Sequence, residues 1–168
     1  PDFIPSLNFV ALVDGRIVGS IMYTKSHVTD ETGNRMETIT FGPVSVLPEF
    51  QRRGIGSALI RHTKAVAIQE NHNAIIIYGH PHNYCKHGFR SSKDLNVSDP
   101  EGKFPYALLV LELKAGVLKG HTWKYFGSDV YMVDPKAAEE FDKHFAGKKK
   151  EFRWTQEEFS ISCRAFLC

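Results

Sequence analysis

The run Gln51-Arg52-Arg53-Gly54-Ile55-Gly56-Ser57 lies between an alternating apolar segment, Ile39 to Leu47, that breaks at Pro48, and a stretch with helical periodicity. A glycine-containing basic turn that opens a helix leaves a row of backbone N–H groups without intrahelical partners. The helix dipole places partial positive charge at the same end. Such a turn is an anion site, suited to a ligand that carries phosphate. Gly54 and Gly56 let the backbone approach that ligand with no Cβ in the way, and Arg52 and Arg53 add charge. Spacing argues against two familiar phosphate loops. The nucleotide-hydrolase loop needs Gly-Lys-Ser/Thr, whereas Ser57 follows Gly56 directly. The dinucleotide fingerprint needs a third glycine where Leu59 stands.

A second polar cluster, His80-Pro81-His82-Asn83-Tyr84-Cys85-Lys86-His87, brings imidazole, amide, phenol and thiol together. Structural zinc sites usually show paired ligands in two clusters, and no second cluster exists here, so no metal is assigned. Ordinary histidines on a loop and a short helix are the simpler reading. Asn83 is open to two roles, orienting a ligand or capping the short helix.

The elements that must position these residues are legible from pattern. Phe9 to Val13 and Arg16 to Lys25 are apolar, β-branched runs joined by Asp14-Gly15, a strong hairpin signal. His27 to Arg35 reads as a second turn, and Glu37 to Leu47 as the third strand of a meander, interrupted at Gly42-Pro43 where a bulge or splay is expected. Ile55 to Glu70 has amphipathic helical spacing. Ala74 to Tyr78, apolar on both faces, suits a covered strand. Together they predict a right-handed βαβ unit with two parallel strands. Pro105 to Leu113 reads as a last core strand. Beyond Lys114 the texture changes: Tyr131 to Val133 resembles a short strand, and Pro135 opens a helix over Lys136 to Phe145. Phe141 and Phe145 are expected to dock that helix on the core, with Phe152, Trp154 and Phe159 as further anchors.

The chain has 168 residues, 42% hydrophobic and 24% charged, which fits one globular domain against a prior of about 150 residues per domain. No apolar run approaches the ~20 residues of a membrane span, and Pro1-Asp2-Phe3 has no secretory pattern. A net charge of +2 argues against nucleic acid as a partner. Lys148 to Lys150, the only basic run, reads as a solvated loop, with contact to an acidic partner as the other reading. Cys85, Cys163 and Cys168 lack paired spacing and read as free thiols in a reducing, cytoplasmic compartment.

The run Val44-Ser45-Val46-Leu47-Pro48-Glu49-Phe50-Gln51-Arg52-Arg53-Gly54-Ile55-Gly56-Ser57-Ala58-Leu59 resembles the acetyl-coenzyme A motif of the GNAT superfamily of N-acetyltransferases. Asn83-Tyr84-Cys85-Lys86-His87-Gly88-Phe89 resembles that family's short tyrosine-bearing helix and Gly-Phe turn. The resemblance covers residues 9 to 113. It implies an α/β (α+β) fold: a mixed, mostly antiparallel sheet with a splayed parallel pair around a central βαβ unit. Residues 1–113 would be the acetyltransferase core and 114–168 a docked C-terminal extension. It implies acetyl-CoA as co-substrate and transfer of its acetyl group to a primary amine, on a small molecule or a protein, by direct attack in a ternary complex.

The same resemblance assigns roles. Gln51, Arg52, Arg53, Gly54, Ile55, Gly56 and Ser57 would hold the pyrophosphate, and Val44, Ser45 and Val46 the pantetheine arm. The Val46 amide would polarise the thioester carbonyl, and Asn83 would lie beside the cofactor. Tyr84 would be the acid for the departing thiolate. With a thiol pKa near ~8.5 and a phenol pKa near ~10, full proton transfer to a free thiolate is mildly uphill. Hydrogen-bond donation therefore serves as well as complete transfer. Where relatives carry an acidic base this chain has Thr40, with Glu37 offset from it, which leaves water, His80 or His82 to take the amine proton. The family fold begins with a further strand and two helices, yet only eight residues precede Phe9. The chain is therefore expected to lack that element and to expose apolar surface that could form a homodimer. A non-catalytic acyl-CoA-binding module is the alternative.

Overall fold

The computed structural model describes residues 2–145, 147 and 151–167, so the basic run Lys148 to Lys150 and the thiol of Cys168 lie outside the described residues. The first hairpin joins β1 (Phe3–Val13) to β2 (Arg16–Asp30). Asp14 and Gly15 both take positive φ, 50° and 77°, which matches the right-handed twist of the flanking strands. β2 runs on to Asp30, past the residues expected to turn. There Asp30 Oδ1 accepts hydrogen bonds from Thr32 N, Thr32 Oγ1 and Asn34 N, so the reversal is tight and begins later than the polar composition suggests.

β3 (Arg35–Phe41) returns antiparallel to β2, and β4 (Ser45–Val46) stays on the same neighbour after the break at Gly42-Pro43. The single strand expected from Glu37 to Leu47 is thus two pieces, because proline cannot donate to the ladder. Helix α1 (Ile55–Gln69) buries Leu59, Ile60, Thr63 and Ala67, leaves Arg61 exposed, and keeps Lys64 half-buried with its Nζ donating to His87 O at 3.4 Å. It ends where Asn71 takes φ 64°. β5 (Ala74–Tyr78) then runs parallel to β3. Ile75 and Ile77 enter the core beneath α1, while Ala74 and Ile76 enter a second core with Trp123, Tyr125 and Leu118. That double burial is why this strand is apolar on both faces.

α2 (Pro81–Tyr84), β6 (Arg90–Ser91), β7 (Val97–Ser98), β8 (Leu108–Glu112) and β9 (Trp123–Phe126) follow. The sheet order is β6-β8-β5-β3-β2-β9-β7, with β1 and β4 also on β2, a mixed and mostly antiparallel sheet around the βαβ unit. β8 is not the last core strand: β9 pairs with His27 to Asp30 of β2 and buries Trp123 and Tyr125. Tyr131 to Val133 is not a strand either. A 3₁₀ turn covers Asp129–Tyr131, capped by Ser128 Oγ, which accepts from Val130 N and donates to Asp2.

α3 (Pro135–Asp142) has no buried residue, and Phe141 and Phe145 pack on each other at 5.4 Å between ring centroids. Neither docks the helix as expected. Phe152 and Trp154 are likewise exposed. The extension is seated instead by main-chain bonds at the end of α4 (Trp154–Arg164): Ser162 O accepts from Ala107 N, Ala165 O from Tyr106 N, and Leu167 N donates to Phe104 O. Of the apolar anchors expected after residue 150, Phe159 is the one in ring contact with the core side, against His80.

Candidate active site

β3 and β5 share one paired position, Ile39 with Ile75, and then diverge. β4 follows β2 across the divergence, with Ser45 opposite Ser20 and Val46 opposite Gly19. Leu47 N donates to Val18 O at 2.8 Å, so alternation along the strand turns the Val46 N–H away from β2 and toward the gap. The Val46 carbonyl accepts a 2.9 Å bond from Gln51 Nε2, which ties the turn to the strand.

Beyond that tie the chain passes through Arg52 (φ 58°) and Gly54 (φ 84°) into α1. No side chain caps this helix start. The amides of Ile55, Gly56 and Ser57 therefore have no intrahelical partner. They face a cavity of about 520 Å³ lined by Val44, Val46, Gln51, Arg52, Gly54 to Ser57, Asn83, Tyr84, Lys86 and His87. Two expected members stand outside it. Arg53 lies over the Phe50 ring at 5.3 Å, and Ser45 is hydrogen-bonded to Ser20 on the other side of the strand.

Tyr84 closes one end of this cavity. Its ring packs against Phe41 and Phe89 at 5.8 and 5.9 Å and lies directly on Gly79. Burial pushes the phenol above its ordinary pKa, so it stays protonated through the neutral range and can donate. His87 Nε2 lies 3.3 Å from Ser57 Oγ in the first turn of α1. Burial, then Lys86, Arg61 and Lys64, holds this imidazole below the usual histidine range.

A larger cavity, about 1210 Å³, opens on the far side of the gap and shares Asn83 and Tyr84 with the first. Its walls include the rings of Tyr78, Tyr125, Tyr131 and Phe159 and the charged groups of Lys25, Arg35, Glu37 and Asp129. Thr40 and Glu37 both line it, Thr40 buried and Glu37 exposed. His80 lines it too, whereas His82 is exposed and lines neither cavity. Among the described residues, no group of three His, Cys, Asp or Glu side chains could hold a metal ion, and no helix is long and apolar enough to cross a membrane.

A family model described as an acetyltransferase (GNAT) domain matches residues 5–91. The chain belongs to the GNAT acetyltransferase family. That match takes in β1 through the Gly-Phe turn, and so both halves of the gap and Tyr84. Among curated proteins the chain is similar to an uncharacterized N-acetyltransferase, YjhQ of Escherichia coli (strain K12), with 32% identity over 89 residues, 51% of this chain and 46% of that one. The chain thus spans about half the length of the curated relative it matches. Among solved structures it is similar to the GNAT family N-acetyltransferase YhbS of Escherichia coli in complex with CoA. The TM-score is 0.65 at 18% identity, covering 74% of this chain and 68% of that one. The shared fold is the GNAT fold, with its mixed sheet and splayed parallel pair.

Four residues of this candidate site carry no sign in the sequence of their place there. Gly79 matters for what it lies against, the Tyr84 ring, and a lone glycine at a strand end carries no sign of that. Glu158 and Phe159 arrive from α4 to meet His80. Tyr131 reaches back from the extension to Gly42, where its hydroxyl accepts from Thr24 Oγ1 at 3.4 Å.

Proposed function

We propose that this chain is an N-acetyltransferase that moves the acetyl group of acetyl-CoA onto a primary amine by direct attack within a ternary complex. One observation carries the reading: two cavities of different chemistry meet at Asn83 and Tyr84. The smaller has an uncapped helix start, Arg52 and an inward-turned strand amide, which suits a pyrophosphate followed by an extended thioester arm. The larger has aromatic walls and mixed charge, which suits an amine-bearing acceptor.

In this reading the amides from Ile55 to Ser57, with Arg52 and Gln51, hold the pyrophosphate. The N–H of Val46 donates to the thioester carbonyl, and Val44 packs on the arm. The amine nitrogen attacks the carbonyl carbon from the larger cavity, the C–N bond forms, and the C–S bond breaks. Tyr84 donates to the departing sulfur. Residues 1–113 supply the cofactor side, and the extension 114–168 supplies one wall of the acceptor side through Phe126, Tyr131 and Phe159. Cys85 and Cys163 are free thiols, in keeping with a cytoplasmic location.

The test is release of the CoA thiol from acetyl-CoA across a panel of small primary amines and lysine peptides. Release that requires both amine and protein supports transfer. Acetyl-CoA binding without release from any acceptor would leave an acyl-CoA-binding module.

A further inference from the structure

His80 stands two residues past β5, at the N-cap of α2, where the strand pair has already parted, and it lines the acceptor cavity with Tyr84. Its Nε2 is buried and has no hydrogen-bond partner. An unpartnered polar atom out of water is costly unless something favours it there. What faces it is Glu158 of α4, whose Oε2 lies 3.9 Å from Nε2. Phe159, the next residue on that helix, meets the imidazole ring edge-on at 5.8 Å. Consecutive residues of one helix thus hold this ring, Glu158 facing Nε2 and Phe159 packing on the ring edge. The side chain keeps 22% of its surface exposed, and that exposed part is not Nε2.

The arrangement is that of a base oriented by a carboxylate. A carboxylate facing Nε2 favours the tautomer with the proton on that nitrogen, which leaves Nδ1 with a lone pair. A separation of 3.9 Å is an ion-pair distance and not a hydrogen bond; catalytic contacts of this kind commonly tighten once substrate is bound. Thr40, buried on the floor of the same cavity, has no basic group to offer, and His82 lies outside it.

We propose that His80 is the base that takes the proton of the attacking amine on Nδ1, and that Glu158 is the residue that positions it. The inference rests on the acetyltransferase reading given above. As the amine nitrogen bonds to the carbonyl carbon, its proton passes to His80. As the C–S bond breaks, the thiolate takes a proton from Tyr84. Imidazolium and phenolate are then reset by one proton moving from the first to the second through solvent when products leave. Glu158 on α4 faces His80, Tyr78 on β5 and Tyr84 on α2 line the same cavity, and Asp2, Lys25, His27, Arg35, Glu37, Tyr125, Asp129 and Tyr131 stand further round it. Burial raises Tyr78 and Tyr84, so neither gains charge in the range where a histidine titrates. The dyad also gives α4 a function: the segment seated by the main chain of Phe104 to Ala107 delivers the carboxylate.

The experiment compares the parent chain with His80→Gln and Glu158→Gln, measuring kcat/KM against pH with acetyl-CoA and the primary amine the parent turns over fastest. His80→Gln should lower kcat/KM by about 100-fold or more and abolish the acid limb, with acetyl-CoA binding by calorimetry unchanged. Glu158→Gln should lower kcat/KM with acetyl-CoA affinity unchanged and release the ring proton from Nε2 in the ¹⁵N spectrum, because the carboxylate that orients the imidazole is gone. Ring ¹⁵N shifts of His80 in the parent chain should show the proton on Nε2 above the titration. A His80→Gln profile like that of the parent, or a ring proton on Nδ1, would overturn the assignment alone. Normal acetyl-CoA binding with no amine turned over by the parent would overturn the transfer reading and this one with it.

Discussion

The ring of Tyr84 rests on the backbone of Gly79: a Cβ at position 79 would come within 2.4 Å of Tyr84 Cε2 and 2.8 Å of Cδ2. Gly79 is itself fixed, since its N–H donates to Ala107 O at 2.8 Å. The glycine is required for close approach, and it sets where the phenol stands. Gly79→Ala should therefore displace Tyr84, destabilise the fold by about 1–3 kcal/mol in thermal or denaturant unfolding, and lower amine-dependent thiol release. Adding Tyr84→Ala should recover stability without recovering turnover, a non-additivity that a double-mutant cycle reads directly.

Tyr84→Phe keeps the ring on Gly79, Phe41 and Phe89 and removes only the hydroxyl. Thermal stability and acetyl-CoA affinity should stay near the parent values while kcat falls by about 100-fold or more. Steady-state kinetics with calorimetry on the same sample checks this. A kcat equal to that of the parent would remove the phenol from the mechanism.

The Gln51 side chain ties the basic turn to the strand, Nε2 donating to the Val46 carbonyl. Gln51→Ala frees the basic turn from the strand whose amide faces the gap. A neutral hydrogen bond contributes about 0.5–1.5 kcal/mol, so acetyl-CoA affinity should weaken by about tenfold at most. The melting temperature should change little, because the group is exposed. A titration calorimetry series reads the effect.

The lowered pKa of His87 makes a directional prediction about pH. The ring is neutral at pH 7 and gains its proton only below the usual histidine range. The unfolded chain binds that proton first as pH falls, so the apo protein should lose stability on acidification through the window between the two values. Bound polyphosphate favours the charged ring, so acetyl-CoA affinity should rise over the same window, with proton uptake on binding. Both effects should vanish in His87→Asn, as followed by thermal melts and calorimetry in buffers of different ionisation enthalpy.

The central unit was legible because its signals are local. The helical spacing of Ile55 to Glu70 shows the helix, though its buried face runs through Leu59, Ile60, Thr63 and Ala67 and leaves His62 and Gln69 exposed; Ala74 to Tyr78 shows a strand covered on both sides, and Gly42-Pro43 marks the break that opens the gap. The period-two rule, applied to Val44-Ser45-Val46, would also have put Ser45 on the side away from the cavity. Arg52 and Arg53 could not be told apart from sequence. The left-handed backbone at Arg52 sends one side chain to the cavity and the other onto Phe50. β9 was missed because Trp123 to Phe126 is too short to show a period and pairs with a strand far away in sequence. The meeting of His80 with Glu158 and of Gly79 with the Tyr84 ring are contacts of tertiary packing, and neither partner carries a mark of the other.

In the proposed function the uncapped start of α1 and the gap beside it hold acetyl-CoA. Calorimetric titration of the 168-residue chain with acetyl-CoA tests it most directly, with Gly56→Asp as the control. Gly56 lines the cavity, and a Cβ there meets only Val44 and Val46 at 3.8 Å, whereas Gly54 at φ 84° would add backbone strain of its own. Micromolar binding is expected of the parent chain, and its loss in a folded Gly56→Asp variant, whose carboxylate would face the phosphates. No binding by the parent chain, or equal binding by both, would contradict it.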